Sequence, residues 1–237
     1  MFIAEIFLSF QGEGRFLGIP AFFVRTSGCN LRCQWGSTRC DSAYASWEAE
    51  QYGRHMELGE IMAQLEALHQ RHPHVNTVII TGGEPTLQDE LPELIRLLKQ
   101  AKFAVHMESN GTNPPPSGLA LDFVSLSPKL RSALGARPIP AGRFHPQTDP
   151  QILRGWLKQF ECQLKFVVYC PDDESEILDL LKVLPELGRD QIWLMPEGIS
   201  AEEIHRNASL VLELCYRHGF NYTPRAHIEL FGNQRGF

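Results

Sequence analysis

Six short apolar runs recur along the chain with helix-patterned stretches between them, and this alternation restricts the fold more than any other feature. The runs are AFFVR at 21–25, TVIIT at 77–81, AVHME at 104–108, DFVSLS at 122–127, LKFVVY at 164–169 and IWLM at 192–195. Each has the length and the β-branched or aromatic content of a strand. Between them the apolar positions change period. In LGEIMAQLEAL, Leu58, Ile61, Met62, Leu65 and Leu68 fall on one helical face, and Leu91, Leu94, Ile95 and Leu98 repeat that spacing after TVIIT. Such alternation predicts a parallel α/β sheet with right-handed crossovers, either an open doubly wound sheet or a full or partial barrel. The pattern does not choose between them. With 237 residues, 43% of them hydrophobic, the chain is large enough to bury a sizeable core. No repeat, low-complexity tract or linker divides it, so residues 1–237 read as a single domain. Two stretches rich in Pro and Gly read as loops: PPPSG at 114–118, and a longer surface loop over 132–150.

The formal net charge of −6 supplies no general basic surface. Nucleic-acid binding by electrostatics is therefore not expected, and a small anionic ligand needs local cations. The opening MFIAEIFLSFQGEGR alternates apolar positions without the basic start and sustained apolar run of a secretion signal, and no later stretch reaches membrane-spanning length. The expected location is the cytoplasm. In that reducing compartment, clustered cysteines are more often metal ligands or redox groups than disulfides. Cys162, Cys170 and Cys215 sit singly inside apolar patterns and are expected in the core.

The other three cysteines crowd into SGCNLRCQWGSTRCDS, where Cys29, Cys33 and Cys40 follow directly on AFFVR. Ligands there stand at the C-terminal end of a strand, where parallel α/β folds gather their active sites. Thiolates are soft ligands that suit zinc and iron–sulfur clusters. A structural zinc site takes four protein ligands, yet the next histidine is His55 and no second CxxC follows. Three sulfurs without an evident fourth favour a cluster with one open iron. A second motif, VIITGGEPTLQ at 78–88, sets Gly82-Gly83-Glu84-Pro85 between a strand and a helix, where glycines let the backbone approach a ligand closely.

CNLRC followed by a third cysteine resembles the CxxxCxxC signature of radical S-adenosylmethionine (SAM) enzymes, and GGEP resembles the motif that binds the methionine amino group in that family. The spacing departs from the pattern, because Gln34 to Arg39 separate Cys33 from Cys40 where the family has two residues. The flanks CNLRCxW and CDSxY still match, so GSTR reads as an insertion, cheap because loop-closure entropy grows only with the logarithm of length. The resemblance implies an incomplete TIM-like β/α barrel and a 4Fe-4S cluster on Cys29, Cys33 and Cys40. It also implies SAM on the open iron and an adenosyl radical that abstracts hydrogen from the substrate. SAM is then expected on Arg39, Asp41, Gly83, Glu84, Ser109, Ser127, Pro128 and Lys129. The hydroxyls and lysine at the strand ends ESNGT (108–112) and SLSPK (125–129) suit its ribose and carboxylate.

FLSFQGEG at 7–14, FVRTSGC at 23–29, SPK at 127–129 and LFGNQRG at 230–236 narrow the resemblance, over nearly the whole chain, to the 7-carboxy-7-deazaguanine synthase family. That family implies conversion of 6-carboxy-5,6,7,8-tetrahydropterin to 7-carboxy-7-deazaguanine with loss of ammonia, a step towards queuosine. It further implies magnesium, a homodimer, and a flavodoxin or ferredoxin as reductant. The pterin is expected on Phe10, Gln11, Gly12, Glu13, Arg25 and Thr81, with Arg25 forking its carboxylate. The magnesium ligand is expected to be Ser42, whose hydroxyl oxygen suits a hard ion. Taken without the family, Ser42 caps a helix over AYASWEAE, Arg25 pairs with Glu13, and QGEG is a turn. Two other functions share part of the pattern: an activase that makes a glycyl radical on a partner enzyme, and a non-catalytic iron–sulfur or zinc module stapled by the cysteine loop.

Overall fold

The computed structural model describes residues 1–134 and 148–236. The chain opens with β1 (Phe2–Phe10) and β2 (Pro20–Thr26), an antiparallel pair in which Phe7 faces Phe23 with ring centroids 5.1 Å apart. The cysteine segment that follows holds a small hairpin, β3 (Gln34–Trp35) and β4 (Thr38–Arg39), then two single-turn helices, α1 (Ala43–Ser46) and α2 (Ala49–Tyr52), and an edge strand, β5 (Arg54–His55). From there helices and strands largely alternate. In order come α3 (Leu58–Arg71), β6 (Thr77–Gly82), α4 (Leu91–Gln100), β7 (Ala104–Ser109), followed directly by β8 (Phe123–Leu126), and α5 (Arg131–Leu134). The last third carries α6 (Pro150–Gln159), β9 (Cys162–Val168), α7 (Asp173–Lys182), β10 (Ile192–Pro196), α8 (Ala201–His218), β11 (Asn221–Tyr222) and α9 (Ala226–Phe231).

The main sheet runs β5-β1-β2-β6-β7-β8-β9-β10-β11. From β2 to β11 every pairing is parallel and the spatial order is the chain order. A doubly wound sheet reverses its winding at a switch point. This one never reverses, so it winds as a barrel does, and it ends on β5 and β11 without closing. The fold is an incomplete β/α barrel. The sheet is not wholly parallel, however, because β1 runs against both β2 and β5. The tight 11–19 connection leaves no room for the crossover helix that a parallel pair needs.

Strand alternation sorts the side chains into two faces. Phe22, Val24, Val78, Ile80, Leu164 and Phe166 point outward into the core beneath the helices. There α4 contributes Leu91, Leu94, Ile95 and Leu98, all fully buried, each worth roughly 1.5–3 kcal/mol over an exposed position. The alternates point inward. Near the N-terminal ends of the strands Ala21, Phe23 and Ile79 make an apolar floor with Phe7, and above it Arg25, Thr81, Glu108 and Lys165 line a polar bowl.

The open side of the barrel is stitched by the segments after β1 and β11. Gly14 N–H donates to Thr223 Oγ1 at 2.6 Å, and Ala226 N–H donates to the Gly12 carbonyl at 3.0 Å. A Cβ on Gly12 would stand 2.2 Å from His227 Nδ1, so a larger residue there would displace the imidazole.

The two ends of the expected 132–150 loop are helical. Ser132 to Leu134 belong to α5, Pro150 begins α6 behind an Asp149 cap, and residues 135–147 lie outside the described residues. AYASWEAE forms two separate turns, α1 and α2, in place of one helix. Cys162 and Cys215 are buried as expected, whereas Cys170 is half-buried. Among the described residues no helix is long and apolar enough to cross a membrane.

Candidate active site

The cysteine loop and the GGEP loop leave neighbouring strands and press together at the rim. Glu84 N–H donates to the Gly28 carbonyl at 2.8 Å, and Gly28 N–H to the Ala45 carbonyl at 2.9 Å. A Cβ on Gly83 would stand 2.0 Å from the Gly28 oxygen, so glycine alone admits this approach.

Cys29, Cys33 and Cys40 all line the bowl and pack with Leu31, Trp35, Val167 and Met195. None of the other three cysteines lines it, and none of the six is disulfide-bonded. Burial pushes the Cys29 thiol up, Cys33 to about 11 and Cys40 to about 12, the last helped by Asp41. Thiols so placed are inert as nucleophiles and ionise only when a metal takes the sulfur. Leu31 N–H points at Cys29 Sγ from 3.4 Å and Asn110 Nδ2 lies 4.0 Å from the same sulfur, the outer hydrogen bonding that tunes iron–sulfur centres. Three soft thiol donors in one apolar corner, with no fourth cysteine lining the bowl, fit a cluster that keeps one iron for a small ligand. The indole N–H of Trp35 is buried and has no partner among the described residues.

Of the residues expected to hold SAM, Arg39, Asp41, Gly83, Ser109, Ser127 and Lys129 line the bowl, while Glu84 and Pro128 stand behind its wall. The Glu84 carboxylate, fully buried, accepts from Ser109 Oγ at 2.9 Å, Asn110 N at 2.7 Å and Thr86 Oγ1 at 2.7 Å. It braces the GGEP turn against the end of β7. Arg39 sits at the rim, but its guanidinium lies 4.7 Å over the Trp47 ring and 3.6 Å from Glu48. Lys129 Nζ donates to Ser127 Oγ at 2.7 Å.

The residues expected to hold the pterin, Phe10, Gln11, Gly12, Glu13, Arg25 and Thr81, all line the bowl. Gln11 Nε2 and Thr81 Oγ1 donate to the two oxygens of Glu108, at 3.0 and 2.8 Å. Arg25 pairs with Glu5, not Glu13: its Nε donates at 2.7 Å to a carboxylate that also takes the Tyr44 hydroxyl at 2.5 Å. Glu13 instead meets Lys165, Arg225 at 3.3 Å and His227 at 3.9 Å. Burial alone would raise its carboxyl, but these cations outweigh burial and hold it at about 2. Asp41 is treated alike: burial opposes its charge, and Arg225, then His227 and Arg25, keep it well below the usual carboxylate range. Glu13, Asp41 and His227 bring donor atoms within 4.8 Å of one another. Lys165 and Arg225 already neutralise both carboxylates, so the group is a charge network rather than a metal centre.

Lys165, Glu197, Arg225 and His227 line the bowl without having been singled out in the sequence. Lys165 had a signal, a lone cation in the otherwise apolar LKFVVY run. Arg225 and His227 lie in TPRAH, which carries none. Glu197, at the end of β10, is 5% exposed, and among the described residues its carboxyl has no hydrogen bond or ion pair. Burial, partly offset by Arg225, raises it from 4.5 to about 7. A raised carboxyl costs native stability once pH exceeds its unfolded value, and the full cost is reached above its folded value. Glu197→Gln is therefore expected to add little stability at pH 5 and up to about 3 kcal/mol at pH 8. Urea unfolding at the two pH values checks this, and an equal shift at both would show that Glu197 does not titrate there.

Residues 23–122 match the pattern of the Radical SAM superfamily. The chain is 35% identical to the 7-carboxy-7-deazaguanine synthase of Halobacterium salinarum, over 98% of this chain and 90% of that protein. It is 37% identical to the 7-carboxy-7-deazaguanine synthase of Pyrobaculum aerophilum, over 99% of this chain and 96% of the relative. Among solved structures it is similar to QueE from Escherichia coli, with a TM-score of 0.64 and 26% identity over 95% of this chain and 94% of the other.

Proposed function

The chain belongs to the 7-carboxy-7-deazaguanine synthase family of radical SAM enzymes, and from that premise we infer that its bowl converts 6-carboxy-5,6,7,8-tetrahydropterin to 7-carboxy-7-deazaguanine with release of ammonia. The observation that carries this is the meeting, in one bowl, of the three-thiol corner with the Gln11, Glu13, Arg25 and Thr81 set. When bound, the cluster and SAM supply an adenosyl radical that takes hydrogen from the substrate. The chain's own residues hold, orient and shield. Cys29, Cys33 and Cys40 would carry the cluster. The Gly83 backbone, Ser109, Ser127 and Lys129 would carry SAM, with Glu84 acting through the turn it braces.

Arg25 would receive the substrate carboxylate. Glu5 fixes its Nε, which leaves the terminal N–H pairs of a pre-oriented fork for the ligand. Arg25→Lys keeps the charge and loses the fork, so affinity for carboxytetrahydropterin is expected to fall at least about tenfold while SAM affinity is unchanged. Calorimetric titration with each ligand reads both, and equal pterin affinity in the two proteins would remove Arg25 from the site. Glu108 orients Gln11 and Thr81 beside the flat pterin edge.

Ser42 would bring magnesium to that carboxylate. It stands at the cap position of α1 yet makes no side-chain capping bond, and its hydroxyl lies 3.2 Å from Asp41 Oδ1. Ser42→Ala is expected to lose most of the magnesium stimulation with the iron content intact, and Ser42→Thr to keep both. If the side chain served only as a cap, the alanine variant would lose about 1 kcal/mol of stability instead and respond to magnesium as before. The same reading brings a flavodoxin or ferredoxin as one-electron donor, a homodimer and a cytoplasmic location.

The experiment is anaerobic incubation of the reconstituted, reduced protein with SAM, carboxytetrahydropterin and magnesium. The expected outcome is a product of the mass of 7-carboxy-7-deazaguanine and one ammonia per product. SAM cleavage without that product would leave a radical SAM enzyme acting on another substrate. No cleavage of SAM at all would favour a structural cluster.

A further inference from the structure

The residues between Cys33 and Cys40 form a two-rung ladder, with Gln34 opposite Arg39 and Trp35 opposite Thr38. The ladder extends to the cysteines themselves, because Cys40 N–H donates to the Cys33 carbonyl at 3.1 Å. Its turn is the two-residue loop Gly36-Ser37. Gly36 has φ +57 and Ser37 has no positive φ, the arrangement of a type II′ hairpin with glycine first. Alternation along the ladder puts Cys33, Trp35, Thr38 and Cys40 on one face and Gln34 and Arg39 on the other. The burial agrees. Cys33 and Trp35 are buried against Val167 and Met195, while Arg39 is exposed and lies over Trp47.

We infer that Gln34–Arg39 is a register spacer: a hairpin that brings the chain back to its start, so that Cys33 and Cys40 meet as cross-strand neighbours on the face of Trp35. Directly opposed residues in an antiparallel pair have Cβ atoms about 4.5–5.5 Å apart. The hairpin thus does with six intervening residues what two do in CxxC. The inference rests on the cluster assignment above. It has a consequence that loop length alone does not have, because a one-residue slip on one strand turns its side chains to the opposite face. Tolerance to insertion therefore follows place and parity, not the number of residues added.

Two full-length variants test this. One carries a Thr on each side of Gly36-Ser37, which adds a rung at the exposed tip and leaves the cysteine pair opposed. The other carries a single Ala between Arg39 and Cys40, which breaks the pair. Iron and sulfide per chain are measured after anaerobic reconstitution, with the electron paramagnetic resonance spectrum of the reduced protein with and without SAM, and the melting temperature of the metal-free protein. The two-residue variant is expected to match the parent in iron and in the spectral change on adding SAM. The one-residue variant is expected to lose at least about nine-tenths of its iron while melting with the parent. Parent-level iron in the one-residue variant overturns the inference, as does iron loss in a two-residue variant that melts normally. Should the one-residue variant fail to fold, Gly36→Val and Gly36→Asn take its place. A β-branched residue resists φ +57 and asparagine tolerates it, so valine should lose iron several-fold and asparagine should not. Equal iron in those two also overturns the inference. A parent that binds no iron defeats the cluster assignment instead, and so is told apart.

Discussion

Cys40→Ala is expected to bind no 4Fe-4S cluster and to lose turnover completely, a fall on the order of 10⁶-fold or more, since without the radical the uncatalysed barrier returns. The reason lies in the donor set. Three thiols share one apolar corner, and none of the other cysteines lines the bowl to replace a lost one. Cys40 is also the deepest in the electrostatic sense. Burial and Asp41 push its thiol to about 12, so only a metal converts it to thiolate, and metal binding is what holds the corner in its charged form. The contrast is with Cys162, Cys170 and Cys215. Cys162 Sγ is buried 3.4 Å from the Phe160 carbonyl on the outer side of β9, and Cys215 lies in α8. Alanine at any of these three should leave iron per chain unchanged, and iron lost from one of them would overturn the assignment.

The meeting of the three cysteines in one corner of the bowl is legible because it is local. All three lie within one stretch of twelve residues, and the strand before them sets where they stand. The six apolar runs also became strands at the expected places, since burial on both faces leaves a continuous apolar signature. The direction of winding was not legible, because the period of a strand says nothing about which neighbour it pairs with. Arg25 shows the same limit. Read without the family its partner is Glu13, yet the β1–β2 register sets Glu5 directly across from it. The sequence holds that answer only for a reader who has paired the first two strands. Lys165 and Arg225 are further out of reach. They meet Glu13 from 152 and 212 residues away, and no local pattern encodes a contact that the curvature of the sheet creates.

Arg225 is the residue on which these distant contacts converge, and Arg225→Met is expected to destabilise the protein by roughly 3–5 kcal/mol at pH 7. The side chain, 9% exposed, joins three segments. Its Nη2 donates to Asp41 beside the cluster cysteines, its Nε lies 3.3 Å from Glu13 in the QGEG turn, and its Nη1 donates to the Gly198 carbonyl at 2.7 Å. Methionine fills much of the volume and none of the charge, so the buried Glu13 and the half-buried Asp41 lose a cation they share. His227 is a poorer partner, because it stands 3.9 Å from Glu13 and burial works against its charge. The sign of the pH dependence follows. Asp41 is held well below its ordinary range and Glu13 at about 2, so their pairing stabilises the parent above the unfolded carboxylate values and fades as pH falls through the folded ones. The deficit of the variant should therefore be largest at pH 7 and shrink below about pH 4, where its carboxylates take up protons and no charge remains to be paired. Urea unfolding of the metal-free proteins across that range measures it. Because Asp41 adjoins Cys40, iron retention should fall with stability, and Arg225→Lys, which restores charge without the three-way reach, should recover part of each. A deficit that stays the same at every pH would mean that Arg225 acts by packing alone, and that the charge network does not hold the two ends of the barrel together.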